Sequence, residues 1–256
     1  MTNSVWRGQG VLILGATSAI AEATAREFAA AGARIALVAR DSVRLEVIAA
    51  DLRVRGAPTV TVRSWDLVEV EPTKAQLDEV AAELGGLDGV LIAHGQLGDQ
   101  TAAEADVAEA ARLFDVNFTS AALWALVCAS FLERTRGMAG VVAVIGSVAG
   151  DRGRNSNFIY GSAKAGIATL FQGLSHRHAI RGGPRAVVFK LGFVETPMTA
   201  GMKRGGPLWS SPETVAKVIF SGMSGQNAIV YGPWFWRYVA LVVRLLPQAV
   251  IRRVDL

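Results

Sequence analysis

The segment VLILGATSAIAEATAREFAAAG, residues 11–32, changes character at Gly15. Before it, four aliphatic side chains follow one another without a polar break. After it, apolar residues recur at the three- and four-residue spacing of one helix face. An unbroken apolar run of this length reads as a strand covered on both faces, the condition of a strand inside a parallel sheet. A strand that passes through a tight turn straight into a helix leaves the first backbone N–H groups of that helix free. These groups and the helix dipole favour an anion such as a pyrophosphate just beyond the strand end. An ordinary strand-to-helix turn has the same local pattern, so the rest of the chain has to decide.

Working outward, short runs of the same kind recur: RIALVA, TVTVR, GVLIA, VVAVI, RAVVFKL and NAIVYG. Between most of them lie longer segments with helical spacing, among them SVRLEVIAADLRVRG, TKAQLDEVAAELGG and NFIYGSAKAGIATLFQGLSHRHA. Alternating strand and helix with buried strands predicts one doubly wound α/β domain of about seven parallel strands over residues 1–232. An apolar and basic tail follows over residues 233–256. In such a fold ligands bind beyond the carboxyl ends of the strands, so the residues directly after each apolar run are where chemistry is expected.

Composition narrows the classes. With 256 residues, 51% hydrophobic and 19% charged, the chain can bury a large core and is not disordered. The net charge of +4 is spread along the chain without a basic run or an aromatic-interleaved basic motif, which argues against a nucleic-acid partner. The single Cys128 lies in the apolar run AALWALVCAS and reads as a buried, inert thiol. The polar start MTNSVWRGQG leads into only a short apolar run, so a cytoplasmic protein is expected. His176 and His178 are two apart on a helix and point to different faces, which is wrong for shared metal ligation; both read as surface residues. His94 lies near the expected ligand loop, with a structural hydrogen bond as its expected role.

The strand ends carry the candidate residues. After the first strand, Gly15 is followed by Ala19 and Ala21 where a dinucleotide loop has two further glycines. The second strand ends in Ala39 and Arg40, with Arg44 a turn later. An acidic residue at this tip would bind the ribose hydroxyls of NAD, whereas guanidinium groups suit a 2′-phosphate, so NADP(H) is expected with NAD(H) as the alternative. Arg44 reads equally as a surface salt-bridge residue. Asp66 follows the third strand and suits an adenine amino group or a plain turn. Ser147 stands at the end of the fifth strand, and thirteen residues later the helix FIYGSAKAGI places Tyr160 and Lys164 four apart on one face.

A serine before Tyr-x-x-x-Lys, with Asn117 upstream, resembles the short-chain dehydrogenases and reductases over roughly residues 8–232. The chain departs from the usual pattern at Ala19 and Ala21, at Ile92-Ala93-His94-Gly95, and at Leu191-Gly192. The resemblance implies a catalytic set of Ser147, Tyr160, Lys164 and Asn117. It assigns the dinucleotide to Gly15, Thr17, Ser18, Ala19, Ile20, Arg40, Asp66, Leu67, Gly95, Tyr160, Lys164, Val194 and Thr196. A ketone that accepts hydride needs a proton at the same moment, and a free tyrosine with its pKa near 10 is a reluctant partner. Lys164, with the oxidised nicotinamide, is expected to lower that pKa and to bind the nicotinamide ribose. Ser147 is implied to hold the substrate oxygen and Asn117 to anchor a water relay to Lys164. Thr196 is implied to contact the carboxamide, and reads equally as a cap on the turn that follows.

The loop VAGDRGRNSNFI should wall a substrate pocket and brings Arg152 and Arg154, which read as phosphate ligands or as solvated arginines. In the tail GPWFWRYVALVVRLLPQAVIRRVDL, Arg237 and Arg244 are seven apart and share a helix face, among aromatic and aliphatic residues suited to a membrane interface or to a second subunit. These features, with GQLGDQ after the fourth strand, resemble the decaprenylphosphoryl-2-keto-pentose reductases. That family implies a polyprenyl phosphate-linked 2-keto sugar as substrate in cell-wall arabinan precursor synthesis, a partner oxidase, peripheral membrane contact and a homo-oligomer. Two other expectations stay open: a small soluble alcohol or ketone as substrate, and an NADP(H)-binding sensor or scaffold without turnover. Residues 199–213 offer a lid, with Met202 and Trp209 as its covering side chains.

Overall fold

The computed structural model describes residues 5–202 and 205–251. In chain order the first half consists of β1 (Gly10–Leu14), α1 (Ala19–Ala30), β2 (Arg34–Ala39), α2 (Ser42–Val54), β3 (Val60–Ser64), α3 (Lys74–Leu84), β4 (Gly89–Ile92), α4 (Gln100–Ala105) and α5 (Val107–Phe114). The second half continues with α6 (Ser120–Thr135), β5 (Val141–Ser147), α7 (Phe158–Arg181), β6 (Arg185–Leu191), β7 (Phe193–Val194), β8 (Trp209–Ser210), α8 (Pro212–Ser224), β9 (Ile229–Gly232) and α9 (Trp236–Leu245). Seven strands form one sheet in the order β3-β2-β1-β4-β5-β6-β9, every pair parallel. This is the doubly wound architecture expected from the sequence.

The unbroken apolar strands follow from the two layers of helices. Within β1, Val11 and Ile13 face Phe28 of α1, Leu45 and Ile48 of α2, and Ile219 of α8. Leu12 and Leu14 face the other way, onto Leu77 of α3, Trp124 of α6 and Phe171 of α7. With both faces buried, a substitution such as Leu12→Ala destabilises by about 2–5 kcal/mol. Helix ends are set locally: Thr73 and Gln76 form a reciprocal cap on α3, and Gly85 ends that helix in a left-handed conformation, φ 65°.

Register places the site. Leu14 pairs with Val38 and with Ile92, and Ile92 pairs with Val144. The strands therefore end level, and Gly15, Ala39, Ala93 and Ile145 form one rim.

Three local features bear on these readings. Asn117 does not sit in a regular helix: residues Asp115–Thr119 form a π turn joining α5 to α6. His178 is buried at 4% exposure, its ring packed against Gly183, while His176 is exposed. The reason is periodicity, because His178 falls four residues after Leu174 on the inward face of α7. The segment Val107–Thr135 is long and apolar enough to cross a bilayer, yet it carries Trp124 and Cys128 into the core, where burial pushes the Cys128 thiol up to about 12.

Candidate active site

At the rim, Gly15 has φ +85°, and a Cβ there would lie 2.5 Å from the His94 backbone nitrogen, so only glycine fits. Ser18 caps α1 by accepting from the Ala21 N–H at 3.4 Å, which leaves the N–H groups of Ala19 and Ile20 without an intrahelical partner and open to a ligand. A cavity of about 550 Å³ runs along this rim, lined by Gly15, Thr17, Ser18, Ala19, Ile20, Arg40, Asp66, Leu67, Gly95 and Thr196.

Arg40 is 80% exposed along its side chain and stands 3.7 Å from Asp66, whose Oδ1 accepts from the Val68 N–H. Arg44 is directed elsewhere: its guanidinium donates to Glu22 at 2.6 Å, the surface salt-bridge alternative. The Leu67 carbonyl accepts from Ser120 Oγ at 2.5 Å and from Trp124 Nε1 at 3.1 Å. Because Ser120 gives its proton to Leu67, His94 Nε2 must donate to Ser120 Oγ across 3.0 Å. That tautomer turns Nδ1 into a buried acceptor with no protein partner. Burial, with the Lys164 charge acting in the same direction, draws His94 down to about 4, so the ring is neutral. A positive-φ turn, free helix N–H groups and an exposed arginine together fit a phosphate-bearing dinucleotide.

The reacting groups lie at the inner end of the same rim. Tyr160 is hydrogen-bonded to Ser147. Burial pushes its phenol up to about 12, opposed by that hydrogen bond and by the Arg154 guanidinium. Arg154 thus joins the expected Lys164 as a cation near the phenol. Lys164 is 4% exposed, lies with its ammonium 5.6 Å from the Tyr160 ring centre, and donates to the Ile145 carbonyl at 3.1 Å. Burial pulls it down to about 8.

The protein contacts of Asn117 are with the backbone on either side of it. Its Nδ2 donates to the carbonyls of Gln96 (2.7 Å) and Leu113 (2.9 Å), and its Oδ1 accepts from the Gln96 N–H at 3.0 Å. The side chain thus pins the loop after β4. A Cβ on Gly95 would lie 2.9 Å from Asn117 Oδ1 and 3.3 Å from Lys164 Nζ, so this loop must carry glycine to pass between them.

Opposite this wall, Val194 is buried in β7 and its carbonyl accepts from Thr199 Oγ1. Thr196 caps the turn Pro197–Thr199 and also lines the cleft. A cavity of about 130 Å³ sits between Ser147, Tyr160, Arg154, Asn157, Phe193 and Met202.

Arg154 lines that space, but Arg152 does not. Arg152 donates to the carbonyls of Arg244 (3.0 Å) and Leu246 (3.3 Å) and to Gln248 (3.0 Å), because those C-terminal carbonyls of α9 have no helical donor of their own. Of the proposed lid, Trp209 is stacked on Phe193 at 5.3 Å, and Lys203 and Arg204 lie outside the described residues. Trp236, not singled out from the sequence, packs edge-on to Phe193 at 5.4 Å and occupies the space a side chain on Gly192 would need. The departure at Leu191-Gly192 was the available signal for that contact. Among the described residues no group of three His, Cys, Asp or Glu side chains could hold a metal ion.

The sequence matches the short chain dehydrogenase family over residues 9–205. The chain belongs to the short-chain dehydrogenases. An uncharacterized oxidoreductase of Streptomyces coelicolor is 38% identical over 96% of this chain and 95% of its own length. Another, from Mycobacterium tuberculosis, is 36% identical over 95% of this chain and 96% of its own. Among solved structures, a short-chain type dehydrogenase/reductase from Mycobacterium marinum superposes with a TM-score of 0.80 at 21% identity, covering 90% of this chain and 96% of that one. Levodione reductase gives a TM-score of 0.78 at 22% identity, covering 91% and 99%; both likenesses concern the fold. As a short-chain dehydrogenase the protein is an NAD(P)-dependent oxidoreductase, with Ser147, Tyr160 and Lys164 gathered at the end of its dinucleotide cleft.

Proposed function

We propose that this short-chain dehydrogenase uses NADPH to reduce the 2-keto group of a pentose carried on a polyprenyl phosphate, a step in making a cell-wall arabinan precursor. The observation that carries the reading is Arg154, a cation that lines the substrate-side cavity together with Tyr160, where a phosphodiester next to the reacting sugar would meet it. Burial raises the Tyr160 phenol to about 12, so it is protonated at neutral pH, and the positive charges of Arg154 and Lys164 help it to release that proton.

The bound dinucleotide supplies the hydride. Ser147 then donates a hydrogen bond to the carbonyl oxygen, Tyr160 passes its phenolic proton to that oxygen as negative charge develops, and Arg154 and Lys164 stabilise the remaining phenolate. Lys164, at about 8, exchanges protons near neutrality and returns one to Tyr160. Asn117 acts through the loop it pins, keeping Gly95 out of the space around Lys164 Nζ. NADPH is preferred over NADH because Ala39 gives no carboxylate to a ribose and Arg40 is exposed at the cleft.

The tail supports residence at the cytoplasmic face of a membrane: Trp234 (72%), Tyr238, Leu241, Val242 and Leu245 (73%) are exposed on and beside α9. The 2-keto substrate has to come from an enzyme that oxidises the corresponding alcohol, which gives this reductase an oxidase as its partner in sequence. A homo-oligomer would use the exposed Leu123 and Leu126 on α6.

The deciding experiment is NADPH and NADH oxidation with a polyprenylphosphoryl 2-keto-pentose beside simple ketones, with Tyr160→Phe as control. Turnover of the lipid-linked sugar that disappears in the control supports the reading. Turnover of simple ketones alone sinks it and leaves a second reading, a reductase of small soluble ring ketones, which the 130 Å³ cavity would suit. A relative named cis-4-hydroxycyclohexanecarboxylate dehydrogenase from Sinomonas cyclohexanicum, 32% identical over 75% of this chain, points the same way.

A further inference from the structure

A second cavity, of about 460 Å³, opens between α7, the ends of β6 and β9, and α9, and shares no lining residue with the dinucleotide cleft or the Tyr160 cavity. Its floor is a buried ion pair. Lys190, with 8% of its side chain exposed, contacts Asp151, with 4% exposed. Asp151 also accepts from the Tyr231 hydroxyl at 3.2 Å, and the Lys190 ammonium lies 5.8 Å over the Tyr231 ring. The carboxylate is thus enclosed by its own donors.

The outer wall is cationic. Arg237 and Arg244, two turns apart on one face of α9, project onto this cavity, and neither makes an ion pair among the described residues. Three cations, Lys190, Arg237 and Arg244, against the one carboxylate of Asp151 leave two positive charges around a space large enough for a headgroup. Arg152 holds the end of α9 by the carbonyls of Arg244 and Leu246, so this wall is fixed before any ligand arrives.

We propose that this cavity is a binding site for a phosphate monoester, seated between Arg237 and Arg244 over the Tyr231–Lys190 floor. A monoester carries close to two negative charges at neutral pH, and paired guanidinium groups match its oxygens in a way ammonium groups do not. The source of the phosphate is either a soluble phosphorylated metabolite or the headgroup of an anionic lipid. The exposed stripe of Trp234, Tyr238, Leu241 and Leu245 beside the two arginines gives the acyl chains of such a lipid a place to lie. The site is independent of ketone reduction.

The test uses the full chain with saturating NADP+, so that the cofactor cleft does not compete. Inorganic phosphate is titrated by calorimetry, and cosedimentation is measured with phosphatidylcholine vesicles with and without phosphatidic acid. Binding of either probe that weakens by about tenfold or more in R237Q/R244Q supports the site. Loss confined to phosphatidic acid vesicles identifies the lipid source, and loss confined to inorganic phosphate identifies the soluble one. Wild-type protein that binds neither probe, equal binding to both kinds of vesicle without phosphate binding, or a double variant that binds like wild type overturns the proposal. Unchanged thermal melting and ketone turnover in R237Q/R244Q exclude misfolding as the cause.

Discussion

Arg152 and Arg154 flank a single glycine yet face opposite sides of one loop: Arg152 binds the carbonyls of Arg244 and Leu246, and Arg154 lines the cavity that holds Tyr160. The loop after β5 is therefore held at its outer side by the C-terminal helix while its inner side lines the substrate cavity.

Substituting the two arginines should have separable effects. Removing the Arg154 charge removes an influence that lowers the Tyr160 pKa, so Arg154→Met moves the alkaline limb of the reduction rate upward and raises KM for an anionic ketone about tenfold, with little change for a neutral one. Arg152→Ala leaves both kinetic readouts near wild type and instead speeds amide exchange in α9. A pH–rate profile of each variant and hydrogen exchange by mass spectrometry check the pair. An Arg154→Met profile identical to wild type would remove Arg154 from the reaction.

Tyr160→Phe keeps the ring that packs under Lys164 and removes only the proton donor. Turnover should fall by roughly 10²–10⁴. NADPH affinity, followed by cofactor fluorescence, should stay within a factor of about three of wild type, since the dinucleotide cleft is lined by other side chains. Equal loss of binding and turnover would point to a structural rather than a chemical role.

Much of this site was legible in the sequence because a strand end and a helix face are strong local signals: Gly15, Arg40 and Ser147 were found from the first, and Tyr160 with Lys164 from the second. The less legible parts depend on distant contacts. Nothing near Arg152 announces that it caps a helix ninety-two residues later. Asn117 was legible as a site residue, but its hydrogen bonds to the Gln96 backbone arise only once the π turn aligns α5 with the loop after β4. His178 was misjudged because residue type was weighed above its position on the inward face of α7. Trp236 could be inferred only in retrospect, from Gly192, whose missing side chain is the space it fills.

Lys164 carries a stability cost that its chemistry requires. Its pKa falls from 10.5 to about 8 in the folded chain, so between those values the unfolded chain holds a proton the native state lacks, and stability rises with pH. Below about 8 both states are charged and the burden of a buried ammonium is fully present. Lys164→Met should therefore raise the melting temperature at neutral pH, by about 2–4 °C for each kcal/mol gained, and flatten the alkaline rise, while turnover collapses. Calorimetry across neutral and alkaline pH checks it; a lower melting temperature would mean that the hydrogen bond to Ile145 outweighs the charge burial.

His94 predicts the acid side of the same curve, with a slope of the same sign. Its pKa is drawn from 6.5 to about 4 by burial, so above 6.5 the ring is neutral in both states and has no effect on pH dependence. As pH falls from 6.5 towards 4 the unfolded chain takes up a proton that the native chain refuses, and stability drops by about 1.4 kcal/mol per pH unit. His94→Gln keeps a donor for Ser120 but cannot protonate, so it should remove this slope while leaving the melting temperature at neutral pH within a few degrees of wild type. If the acid slope survives in His94→Gln, the buried histidine is not its source.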